Sequence, residues 1–106
     1  MKLYLKNRND RFDAAAEYNQ QTGEFVVMKG SRVSDSISTA PTFRSVKAIE
    51  KQRSLYVKNN IVQENVVFKS SSTAGNFVTG NSTDGPSSWK DETGKKLKEI
   101  LSEMKG

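Results

Sequence analysis

The chain has 106 residues, a formal net charge of +5, and neither cysteine nor histidine. Those absences exclude disulfides, thiolate metal sites and thiol nucleophiles, and they remove the usual general base and the commonest metal ligand near neutral pH. A chain of this length buries roughly two-thirds of its unfolded surface, enough for a single domain, 1–106, to fold without covalent staples.

Lys2-Leu3-Tyr4-Leu5-Lys6 reads as a short strand, and Asn7 to Asp10 as turn chemistry. Ala14-Ala15-Ala16 favours helix by propensity. The strongly β-prone Glu24-Phe25-Val26-Val27-Met28 follows closely, with Thr22-Gly23 suited to a hairpin turn, so 12–18 and 24–29 are read as paired strands. Residues 31–41 are serine-rich with scattered apolar positions, which predicts a loop. From Thr42, a plausible N-cap, the spacing of Phe43, Val46, Ile49, Tyr56 and Val57 predicts a helix ending near Asn59-Asn60.

Ile61-Val62 to Val66-Val67-Phe68 reads as a further strand broken by polar Gln63-Glu64-Asn65. Ser70, Ser71 or Ser72 can cap the next helix, whose buried side is Ala74, Phe77 and Val78 and whose C-cap is Gly80. Asp84-Gly85-Pro86 is a turn. Leu97, Ile100, Leu101 and Met104 define a closing amphipathic helix. The sum is an α+β domain: a small antiparallel sheet of about four strands covered by about three helices.

The positive charge is uneven. Residues 1–60 hold eleven Lys/Arg against six Asp/Glu, whereas 61–106 hold six of each. Arg44, Lys47, Lys51, Arg53 and Lys58 face only Glu50 in their stretch. At about 100° per residue, Arg44, Lys47, Lys51 and Lys58 fall in one arc of the predicted helix, with Val46, Ile49, Tyr56 and Val57 roughly opposite. Such a row can track phosphates, each contact releasing counterions; the alternative is an ordinary solvated face. Ser70, Ser72 and Thr73 with Lys69 form a second candidate, since free N–H groups at a helix start favour an anion. Capping alone explains the same residues, and the two readings are compatible. Trp89 can stack on a base, but a lone tryptophan in a small domain is more often core.

From Phe68 to Leu97 the sequence resembles a domain family of unknown function found at the C-terminal end of GIY-YIG nucleases and in restriction-modification proteins. That pattern runs Phe-x-Ser-Pro-Ser-x-Ala-Ala, a short apolar stretch and Gly, Asn-Gly-x-x-x-Trp-Lys, then Gly-x-x-Leu. Phe68, Ser70, Ser72, Ala74, Gly80, Gly85, Trp89, Lys90, Gly94 and Leu97 fall in place. Ser71 stands for Pro, Gly75 for Ala and Asp84 for Asn. Phe25-Val26-Val27-Met28-Lys29-Gly30-Ser31 also looks like the family's strand ending in Lys-Gly-Ser. The serine, turn and tryptophan pattern is similar to RAMA-type domains, proposed to read modified DNA. No GIY-YIG motif is present, so nuclease activity does not carry over.

The expected function is a non-catalytic accessory module that binds nucleic acid, duplex DNA foremost, in a restriction or nuclease context. The alternative is a protein-interaction module of such an assembly, contacting a nuclease or methylase partner through the C-terminal helix or an open sheet edge. No cofactor or metal is expected, the acidic residues being dispersed. No apolar run approaches the roughly 18 residues of a membrane span and no signal-peptide core is evident, so a cytoplasmic location is expected.

Overall fold

A computed structural model describes residues 1–7, 11–40 and 43–104. The elements run β1 (Lys2–Lys6), β2 (Asp13–Tyr18), β3 (Phe25–Val27), α1 (Val46–Tyr56), β4 (Val57–Lys58), β5 (Ile61–Val62), β6 (Val66–Phe68), α2 (Ser71–Thr79), α3 (Gly85–Ser88) and α4 (Leu97–Met104). The strands β1-β2-β3-β6 form an antiparallel sheet in that order, and β4-β5 form a separate two-stranded hairpin. The α+β architecture expected from the sequence is thus present.

Strand alternation decides which sheet face is buried. Leu3, Leu5, Ala14, Ala16, Phe25, Val27, Val66 and Phe68 all point into the core. Their neighbours Tyr4, Ala15 and Val26 are only half-buried, and Val67 is exposed. Register ties the inward set together: Leu3 faces Ala16, Ala16 faces Val27, and Val27 faces Val66. The three alanines of β2 therefore form a strand against their helix propensity. Two of them are buried between larger side chains, and pairing on both edges outweighs a local preference of under about 1 kcal/mol per residue.

Helix α2 packs on this face, with Phe77 stacked against Phe68 at 5.2 Å between ring centroids. Trp89 is fully buried, its ring 4.8 Å from that of Phe25. Its indole N–H donates to the Ser71 carbonyl at 3.0 Å, so the lone tryptophan is core rather than a stacking platform. Gly80 adopts φ 74° and ends α2, as its place after the apolar stretch predicts. Only glycine fits there, since a Cβ would drive into the Ser36 carbonyl oxygen.

The structure revises or refines several of these expectations. The helix around Ile49 starts at Val46 and stops at Tyr56, so Arg44 precedes it and Lys58 lies in β4. Thr42, the expected cap, lies outside the described residues; Ser45 occupies the N-cap position without a side-chain cap bond. The chain leaves the helix because Val57 turns extended to pair with Val62. Asn59 and Asn60, at φ 53° and 65°, do adopt left-handed conformations, but as the two-residue turn of the β4-β5 hairpin.

Residues 61–68 are likewise two strands in two sheets. Gln63 bonds back to the Tyr56 carbonyl at 2.7 Å and Asn65 Oδ1 accepts from the Lys29 N–H at 2.8 Å, which turns the chain between them. Residues 31–40 have no regular structure, yet they are pinned. Val33 and Ser34 are buried, and the N–H groups of Ser34 and Ser38 bond the carbonyls of Val78 and Gly80 at 2.8 and 2.7 Å. Finally, the turn at Asp84-Gly85-Pro86 opens the one-turn helix α3, with Pro86 in the first turn, where its missing N–H costs nothing.

Candidate nucleic-acid interface

Helix α1 is oriented by one apolar and one cationic side chain on the same face. Ile49 is buried at 2 % exposure. One turn later Arg53 threads inward and donates to the carbonyls of Phe77 (Nε at 3.1 Å, Nη2 at 2.9 Å), Ser34 (2.8 Å), Ser36 (3.4 Å) and Val78 (3.3 Å). Its Nη2 also donates to Ser34 Oγ at 3.1 Å. A rigid planar fork suits this task, joining α1, the 31–40 strap and the end of α2. Burial pushes the Arg53 pKa down, Asp35 opposes that, and the guanidinium stays charged.

With Ile49 and Arg53 turned in, Lys47 and Lys51 come out together, one turn apart and both exposed. Among the described residues neither is held in an ion pair. Arg44 is exposed just upstream of the helix, and Lys58 is exposed beside the turn of the β4-β5 hairpin. The four cations expected on one arc are therefore divided: two share a helical face, one precedes it and one belongs to a strand.

The serine cluster is organised chiefly by the protein itself. Ser70 Oγ accepts from the Thr73 N–H at 3.1 Å and lies 2.9 Å from Thr73 Oγ1, the N-cap of α2. Ser72 Oγ accepts from the Gly85 N–H at 3.0 Å. Gly85 approaches so closely that an added Cβ would collide with Ser71 and the Ser72 nitrogen. The Ser70–Ser72 and Gly85–Trp89 motifs thus form one latch: two hydrogen bonds and a glycine contact hold α3 across the start of α2. Lys69, Ser70 and Thr73 remain exposed beside it.

The family model "Domain of unknown function (DUF4357)" matches residues 3–101. The chain belongs to the DUF4357 family. No curated protein and no solved structure matches it. The DUF4357 match begins in β1 and ends in α4, so the sheet, the latch and α1 all fall within the family unit.

Sequence reasoning missed two features of this DUF4357 domain. Arg53 counts toward a basic stretch in the sequence, but its charge is turned to internal carbonyls; no local pattern encodes partners 17 to 25 positions away. Arg11 and Arg32 also escaped notice. They share an open cleft with Asp35, Ser36, Asn59, Asn60 and Ile61, assembled from three separate parts of the chain. Among the described residues, no group of three or more acidic side chains is placed to hold a metal ion, and no helix is long and apolar enough to cross a membrane.

Proposed function

We propose that this DUF4357 domain is a non-catalytic accessory module that binds nucleic acid, duplex DNA foremost, through phosphate contacts from α1 and its flanks. The observation that carries the proposal is the presentation of Lys47 and Lys51. They stand exposed at helical i, i+4 spacing, with no ion pair among the described residues, on a helix fixed from behind by Ile49 and Arg53. A cation pair on a rigid helix contacts successive phosphates with little ordering cost. Arg44, Lys58 and Lys69 extend the positive surface. Ser70 and Thr73 lie next to Lys69, whereas Ser72 is engaged by Gly85. The net charge of +5 favours the same class of partner, and the absence of histidine and cysteine favours a binding rather than a catalytic role.

The sequence resemblance to the C-terminal domains of GIY-YIG nucleases and restriction-modification proteins supports an assembly in which another component cuts or modifies the DNA. A mobility-shift series with duplex DNA at rising salt tests the proposal. Affinity should fall steeply with salt, and the variant with Lys47→Glu and Lys51→Glu should bind more weakly and less salt-dependently. A wild-type protein that leaves duplex DNA unshifted at low salt would refute it.

A second reading is a protein-docking module. It is favoured by one specific feature, a groove between α1 and the edge strand β6 with Leu55 and Val67 on its walls, 63 % and 56 % exposed. The C-terminal helix, expected from the sequence to offer such a patch, has only Met104 fully out; Leu101 is half-buried against the core. Replacing Leu55 by Asp should leave DNA binding intact under the first reading and abolish partner capture under the second.

A further inference from the structure

We infer that the cleft between Arg11, Arg32 and the β4-β5 turn is a separate anion site that seats a phosphate group. The cleft has a volume of about 590 Å3. Its floor is fixed by backbone pairing. The Arg32 N–H donates to the Asp13 carbonyl at 2.8 Å and the Asp13 N–H donates to the Arg32 carbonyl at 3.0 Å, while Arg32 also bridges to Ile61 of β5. The Val33 N–H holds the Asn60 carbonyl at 2.8 Å, which sets the hairpin turn against the same wall. The Arg32 side chain therefore projects from a backbone tied to both sheets, and Arg11 lines the cleft from two residues before β2.

Charge balance makes the cleft cationic. Asp35 is the only carboxylate lining it among the described residues, and Asp35 lies within electrostatic reach of Arg53, which is anchored behind the strap at Ser34 and Ser36. That leaves two guanidiniums against one carboxylate in the cleft, a net positive lining. Neither is in an ion pair among the described residues. Guanidinium forks bind tetrahedral oxyanions in bidentate fashion, and Asn59 and Asn60, which also line the cleft, carry amide groups able to donate. The ligand class is a phosphate group, either a nucleic-acid backbone phosphate or a free phosphate. The inference does not depend on contacts from α1.

Nitrogen-resolved NMR of arginine Nε–Hε signals during titration with inorganic phosphate, at constant ionic strength, tests the site. Arg11 and Arg32 should shift together and saturate, while the exposed Arg44 drifts without saturation. The double variant Arg11→Lys, Arg32→Lys keeps the charge but loses the fork, and should weaken phosphate binding by about tenfold. Arg32→Ala keeps the backbone pairing, so the fold is retained, and it should abolish saturation at Arg11. The variant with Lys47→Glu and Lys51→Glu should bind inorganic phosphate here as the parent does. A duplex oligonucleotide that displaces phosphate from Arg11 and Arg32 identifies the backbone as the source; one that leaves these signals unmoved identifies free phosphate. Arg11 and Arg32 signals that move no more than that of Arg44, or a double lysine variant that binds as tightly as the parent, would overturn the inference.

Discussion

Replacing Arg53 by Ala should unfold the domain far more readily than loss of a surface cation would. The guanidinium makes three contacts of 3.1 Å or less to the carbonyls of Phe77 and Ser34, besides longer ones to Ser36 and Val78. A hydrogen bond from a charged donor contributes about 1.5–3 kcal/mol net. Crediting the low end to each of the two principal carbonyls, because the side chain is only half-buried, gives a loss of about 3 kcal/mol. Against a total stability of about 5–15 kcal/mol that is a large fraction. For a domain near this size it corresponds to a fall in Tm of about 15 °C. Arg53→Lys keeps the charge without the fork and should lose roughly half as much. Urea unfolding followed by circular dichroism, with Trp89 fluorescence as a second probe, measures both. If the two variants unfold within about 0.5 kcal/mol of the parent, the assignment of Arg53 as the clamp between α1, the strap and α2 is wrong.

Other outcomes follow from the same packing. The double reversal Lys47→Glu, Lys51→Glu should reduce the slope of log affinity against log salt for duplex DNA by about two, near 0.9 per lost contact, and an unchanged slope would remove α1 from the interface. Gly85→Ala places a methyl group into Ser71 and the Ser72 nitrogen, so expression of folded protein or Tm should drop sharply, whereas Gly94→Ala, with open space around the Cβ, should cost only its φ strain of about 1 kcal/mol. Trp89→Phe removes the donor to the Ser71 carbonyl and part of the core, an expected loss of about 2 kcal/mol by thermal melting. Asp91 has its pKa lowered, first by the Thr93 hydroxyl and then by the Lys95 N–H, with further contributions from the Thr93 N–H and the Lys95 charge. Its stabilising contribution is complete above the unfolded carboxylate value of 3.8 and is lost as pH falls through the lower folded value. Asp91→Asn should therefore flatten the acid limb of the stability profile below that pH, and a parallel limb in the variant would contradict it.

What the sequence made legible was governed by contacts close along the chain. β1 matches its alternating pattern, Ser70 caps α2, and Gly80 ends it, because each depends on groups within one turn or one strand. The pairing of 13–18 with 25–27 was readable from the Thr22-Gly23 turn, with Gly23 at φ 79°. The end of α1 was not readable. Helical periodicity continues through Val57 on paper, and only the pairing of Val57 with Val62 diverts it. The candidate site suffered for that reason at Lys58, which lies in β4, while Arg44 lost its place because the helix begins only at Val46. The serine cluster was correctly located as a helix start, but its coupling to Gly85 and Trp89 emerges only when α3 folds back across it. The loop at 31–40 was legible but its attachment was not, because its partners, Val78, Gly80 and Arg53, come from elements later in the chain.

The neighbourhood of β3 and β6 has a kinetic consequence. Residues 28–65 intervene between these adjacent strands, so their pairing closes a wide loop. Closing so wide an interval is entropically slow, whereas the β1-β2-β3 meander needs only short excursions. Refolding should therefore be paced by the arrival of β6, and truncating Val66 should retard it more than truncating Leu5 does. Until that edge is sealed, Phe25 and Val27 stand uncovered on one side, and a crowded refolding mixture should lose protein to aggregates from that state.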